Sequence, residues 1–138
     1  MPMRFTALVG FSLVAAAVLA ANIKANAQDA SPKVVALKNS ESIDLTSVYY
    51  VSNCKSILVG LPEVEVLEGP PGAVLSLREE PVLPRRQGCA QKVAGGTLVL
   101  TAKDVTERKD GKLTYRLKYQ TKDGPRQVSN SYIVSLFP

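Results

Sequence analysis

Strict alternation of apolar and polar residues is clearest near the end of the chain. In "KLTYRLKYQT" (112–121), Leu113, Tyr115, Leu117 and Tyr119 fall on one side, and Lys112, Thr114, Arg116 and Lys118 on the other. That period of two belongs to a strand with one buried and one wet face, because successive side chains on a pleated backbone point to opposite sides. "QVSNSYIVSLF" (127–137) follows, with Val128, Tyr132, Val134 and Leu136 sharing a side. Asp123-Gly124 between the two runs predicts a hairpin, and Pro125 points to a loop longer than two residues. A second "KDG", Lys109 to Gly111, is expected to divide "GTLVLTAKDV" from this hairpin.

The earlier runs are shorter. "KVVALK", "IDLTSVYYV", "SILVG", "EVEVLEG" and "AVLSLRE" are rich in Val, Leu and Ile and are bounded by Gly, Pro, Asn or Ser. No stretch carries a convincing helical period. About 7–8 short strands spaced by roughly 8–12 residues predict an all-β domain over 33–138, a β-sandwich, with a barrel as the alternative. "GPPG" at Gly69 to Gly72 reads as a turn between two strands. "EEPVLPRRQGC" reads as an extended, proline-stiffened edge. Glu63 and Glu65 alternate with Val64 and Val66, the pattern of a wet strand face opposite buried valines.

The first residues change the picture from fold to location. Arg4 precedes a charge-free apolar run from Phe5 to Ala21, and "ANA" at Ala25 to Ala27 offers the small residues of a cleavage site. Residues 1–27 are therefore expected to be a signal peptide and 28–32 a flexible tail, leaving no stable membrane span after cleavage. The expected location is the periplasm or the extracellular medium. From Gln28 onward there are 15 Lys and Arg against 12 Asp and Glu, a net +3. Gln28 to Glu80 holds 4 positive and 8 negative residues, whereas Pro81 to Pro138 holds 11 and 4. Two cysteines, Cys54 and Cys89, in an exported chain predict one structural disulfide.

Candidate chemistry narrows mostly by elimination. The chain has no histidine, so neither a Ser-His-Asp triad nor a Cys-His pair is available. Lys55-Ser56 is the formal remnant of a Ser-Lys dyad and has nothing to set it apart from surface residues. Glu79 and Glu80 end a strand, where adjacent side chains point apart, so they do not face each other as glycosidase carboxylates must. Asp104, Glu107 and Asp110 in "DVTERKDG" lack the spacing of a calcium loop and have Arg108 and Lys109 among them. No metal and no cofactor are expected, and a +3 domain with few exposed aromatics predicts no nucleic acid as partner. Two cationic sets remain as candidate binding surfaces: Arg85 and Arg86 in the Pro-Arg segment, and Lys112, Arg116 and Lys118 on a wet strand face.

"LTYRLKYQTKDGPRQVSNSYIVSLFP" resembles the closing hairpin of bacterial immunoglobulin-like and cadherin-like modules. With "NCKSILVG", "EGPPG" and "GCA…VAGGTLV", the chain as a whole resembles small exported proteins of Gram-negative bacteria. The resemblance implies an immunoglobulin-like β-sandwich, though the chain lacks the core tryptophan common in such domains. It carries no activity with it. The expected function is a non-enzymatic binding or structural module, its partner an envelope protein or an anionic envelope surface. An enzyme, or an enzyme inhibitor, working through the Pro-Arg loop 81–89 is the alternative.

Overall fold

A computed structural model describes residues 33–138, and nine strands organise them. They are β1 (Lys33–Lys38), β2 (Ser42–Val48), β3 (Val51–Ser52), β4 (Lys55–Ser56), β5 (Glu63–Glu68), β6 (Ala73–Glu79), β7 (Gly96–Ala102), β8 (Lys109–Thr121) and β9 (Gly124–Phe137). One sheet has the order β1-β9-β8-β5, a second has β2-β7-β6, and β3 and β4 form a small hairpin. The chain is all-β over these residues, and the two larger sheets pack in a sandwich-like arrangement. The expected leader (1–27) and tail (28–32) lie outside the described residues. Among those described, no helix is long and apolar enough to cross a membrane.

The core lies where the alternating faces meet. Leu37, Leu113, Tyr115, Leu117, Val134 and Leu136 from the first sheet pack against Val48, Leu98, Leu100 and Ala102 from the second. The predicted alternation in β8 holds from Leu113 to Tyr119, all buried. In β9 it holds for Tyr132, Val134 and Leu136, but Val128 on the same face is 43% exposed. Val66, expected to be buried, is exposed. β5 carries a register shift between Val66 and Glu68, which lifts the end of the strand off the core.

The C-terminal hairpin closes more tightly than its sequence suggests. Thr121 pairs with Gly124, so the turn is only Lys122-Asp123. Gly124 takes the positive φ of 105°, and the Thr121 hydroxyl donates to its carbonyl at 2.7 Å. Pro125 fits inside the strand opposite Gln120. The Val59 amide donates to the Gln120 carbonyl at 2.8 Å, so the backbone groups of Gln120 point away from β9. The residue facing Gln120 therefore needs no amide for the ladder, and proline costs nothing there.

The other "KDG" is not a divider. Lys109, Asp110 and Gly111 pair with Leu136, Ser135 and Val134 inside β8, and the connection from β7 is Lys103–Arg108, with Asp104 at φ 56°. Extended backbone places alternate residues on one side, which lets Arg108 reach Asp110 at 3.0 Å and Lys109 reach Glu107 at 2.9 Å. "GPPG" is a turn, and it carries the chain from one sheet to the other. Gly72 sits at φ 95°, where an added Cβ would lie 2.9 Å from the Lys103 carbonyl oxygen.

Candidate functional site

Beyond Val48 the second sheet ends while β8 and β9 continue, and the space left over is an open cleft of about 860 Å³. Its floor is the inner face of the ribbon, with Tyr115, Leu117 and Tyr119 from β8 and Val128 and Asn130 from β9. Tyr49 and Tyr50, just past β2, form one wall; Arg85, Arg86 and Gln87 overhang it, and Lys92 also lines it.

The overhang corrects the extended reading of "PVLPRRQGC". Val82 pairs with Val93, Pro84 is buried, and Arg85–Gln87 forms a single 3-10 turn closed by Gly88 at φ 71°. The Tyr49 hydroxyl donates to Gln87 Oε1 at 2.7 Å. Cys54 and Cys89 form the predicted disulfide, with their Cα atoms 5.5 Å apart. Cys54 lies in the tight β3–β4 turn, where Asn53 and Cys54 both have positive φ (52° and 62°), the geometry of a two-residue hairpin turn. The disulfide thus ties the arginine turn to the hairpin that directly follows Tyr50.

Tyrosines dominate the cleft's chemistry. Tyr50 meets Tyr119 edge-on at 5.4 Å between ring centroids, and Tyr115 stacks on Tyr132 at 6.1 Å. Burial pushes the Tyr115 hydroxyl far above the ordinary tyrosine range, with the neighbouring Tyr132 adding to the shift. Burial also raises Tyr119, with Tyr50 and Tyr49 contributing. Both phenols stay neutral in ordinary conditions and present apolar faces with a hydroxyl.

Arg78, Arg108, Lys109, Arg116 and Lys118 each have a carboxylate partner within 4.0 Å; among the described residues Arg85, Arg86 and Lys92 have none, a condition they share with seven cations outside the cleft, Lys112 and Arg126 among them. Glu80 is the one carboxylate lining the cleft. It accepts hydrogen bonds from Arg78 and from the Thr97 hydroxyl, which hold its pKa down to about 2. It stays ionised, is bound by Arg78, and also feels the charge of Lys92. The cleft therefore keeps an excess of positive charge.

The two predicted cationic sets do not converge. Arg85 and Arg86 border the cleft on the inner side of the ribbon. Arg116 and Lys118 lie on its outer side and are engaged with Glu65 at 3.2 and 3.4 Å, and Lys112 is exposed. Glu79 is exposed while Glu80 turns to Arg78, so this pair shares no site. Among the described residues no three acids or cysteines group as metal ligands. Glu107 is lowered by its bond to Lys109, and Asp110 by Ser135 and then by Arg108.

Sequence reading missed the tyrosines and Lys92. The signal was present: the buried face of β8 alternates Leu with Tyr, and a second tyrosine pair follows β2. Alternation alone counts Tyr as core, and nothing in it says that the opposing sheet stops short. No family model matches the sequence, and comparisons with curated proteins and with solved structures found no match either.

Proposed function

We propose that this protein is an exported, non-enzymatic binding module of immunoglobulin-like build, and that the tyrosine cleft takes an anionic ligand with an apolar or ring body. The observation that carries the reading is the convergence of three cations, without an ion pair among the described residues, on a floor of neutral phenols. Rings supply apolar contact, and the two arginines supply forked donors suited to a carboxylate or phosphate. The binding role is favoured over an enzymatic one because Glu80, held ionised at about 2, is a poor proton donor or acceptor near neutrality.

The immunoglobulin-like build is supported by strand order. β5-β8-β9 and β2-β7-β6 correspond to the C-F-G and B-E-D groupings of that sandwich, with the first strand placed beside the last. Export is supported by the leader-like start and by the disulfide, which an oxidising compartment preserves. The exported chain is expected to begin at Gln28. Mass spectrometry of exported material checks this, and recovery of the full-length chain in membranes would overturn it.

The cleft is tested with anilinonaphthalene sulfonate, an anionic ring probe read by its own fluorescence. Arg85→Glu with Arg86→Glu should weaken probe binding by about tenfold or more, since charge-assisted bonds contribute roughly 1.5–3 kcal/mol. The melting temperature should barely move, because exposed charges add little to folding. Unchanged probe affinity would overturn the assignment.

A further inference from the structure

We infer that the outer edge of β6 is a self-association surface, on which a second copy of this chain lays its own β6 antiparallel about a two-fold axis at Ser76. The inference stands apart from the cleft, since no residue of β6 lines it.

Backbone bonds at both ends of β6 fix which way its groups face. The Glu80 amide donates to the Gly95 carbonyl at 3.2 Å, and the Gly72 carbonyl accepts from the Lys103 amide at 2.9 Å, so even-numbered positions point toward β7. The Ala73 amide turns the other way, to the Pro70 carbonyl at 3.2 Å. Alternation along an antiparallel ladder then aims the amides and carbonyls of Leu75, Leu77 and Glu79 outward. Among the described residues these groups have no backbone partner. β1, where the described chain begins, is at the opposite edge of the first sheet from β5, and β5 is the strand beside β6.

Other edge strands of this fold are guarded. β2 and β5 carry register shifts at Asp44/Thr46 and Val66/Glu68, a feature that discourages pairing with another chain. β6 keeps unbroken register with β7 from Ala73 to Glu79 and holds no proline or lysine. Its one cation is drawn inward. Arg78 reaches across β7 to Asp44 of β2 at 2.9 Å, which takes the charge away from the edge.

The strand is complementary to itself about Ser76. In that register Leu75 exchanges both backbone hydrogen bonds with Leu77 of the second copy, and Leu77 with Leu75, as a two-fold interface requires. Glu79 pairs with Ala73, and Pro71 and Pro81 stand just beyond the two ends. Moving the axis to Leu75 or Leu77 would bring one of these prolines into the ladder, where it has no amide to give. Side chains agree with the register. No like charges meet, because Arg78 lies opposite Val74, Glu79 opposite Ala73 and Ser76 opposite itself. Exposed Val74 gains the Arg78 stem, and the half-buried Leu75 and Leu77 close over one another. Exposed Val66 on β5 and Leu61, which approaches Gly96, extend the apolar margin on that side. This match selects a second copy over a foreign strand.

The exported chain is sedimented over a range of concentrations. One strand pair is a small interface, so a dimer with a dissociation constant between about 1 μM and 1 mM is expected. Amide exchange should slow with concentration at Leu75, Leu77 and Glu79, while Val74, Ser76 and Arg78, already facing β7, stay as they were. Ser76→Lys sets like charges face to face on the axis and should weaken association by about fivefold or more. Ser76 is exposed, so the melting temperature of the monomer should barely move. Ser76→Glu should act alike, and mixing the two variants should restore association to at least the level of the unaltered chain. A monomer at all concentrations up to about 1 mM, association that ignores both substitutions, or protection at other residues overturns the proposal. So does growth beyond a dimer, because a two-fold axis closes the assembly. If either variant fails to fold, the exchange pattern of the unaltered protein decides.

Discussion

The β8–β9 ribbon runs through two environments, and its ends are built differently. Near Gly111 and Val134 its inner face carries Leu113, Val134 and Leu136, fully buried under Leu100 and Ala102 of the opposing sheet. Toward Lys122 the same face carries Tyr115, Tyr119, Val128 and Asn130, and a stapled turn stands where the second sheet would be. One end satisfies its apolar face by close packing. The other leaves part of that face open and holds the surrounding loops by a covalent link. A sheet longer than its partner is thus a means of making a site without disturbing the core.

Removing buried carbon from the closed end should cost most. Leu113→Ala is expected to lower stability by about 2–5 kcal/mol through lost transfer energy and a residual cavity. Val128→Ala at the open end, where the side chain is 43% exposed, should cost well under about 1 kcal/mol. Denaturant unfolding of both variants checks the contrast, and equal losses would break it.

Cutting the staple comes next. Cys89→Ser should cost about 2–4 kcal/mol, the range for closing a loop of this length, over a sequence separation of 35. Amide exchange in the mutant should quicken around Arg85–Val93 and Tyr49–Ser56 while Leu113 and Val134 stay protected. Uniform acceleration would show the two ends to be one cooperative unit.

Alkaline pH should act mainly on the tyrosine end. The folded pKa of Tyr115 and Tyr119 is raised by burial, so above the ordinary tyrosine value near 10 the unfolded chain loses these protons first. Stability is therefore present below that pH and falls as pH rises beyond it. Tyr115→Phe should flatten the fall in melts taken between about pH 9 and 11, around that ordinary value. The smallest effect belongs to Glu80. Its pKa is lowered to about 2, so its contribution is present above the ordinary carboxylate range and is lost as pH falls toward 2. Arg78→Met should reduce this acid sensitivity, leaving the part due to Thr97, with only a slight change at neutral pH. Acid melts of the pair measure it.

Local pattern carried far in the strands and their covalent tie. Alternation in β8 and the second half of β9, the turn at Gly69–Gly72 and the pairing of the only two cysteines were all legible, because each depends on side-chain period, turn residues or count. The failures share another cause. Pro125 looked like part of a longer loop, and Lys109–Gly111 like a second turn, because neither the direction of Gln120's carbonyl nor the pairing with Val134 is a local property. Arg85 and Arg86 were found as candidates, but the extended edge assigned to them is a 3-10 turn. Arg116 and Lys118 looked equally available until Glu65, on another strand, engaged them.

The sequence by itself determined an all-β body over residues 33–138, its principal hairpin and its disulfide, since backbone periodicity and covalent chemistry act over a few residues or need no geometry. Only the tertiary structure decided which cations carboxylates engage, that four tyrosines line one cleft, and that the second sheet stops short of the β8–β9 ribbon. Those depend on where strands of unequal length stop against one another, and relative length has no signature in any single stretch of chain.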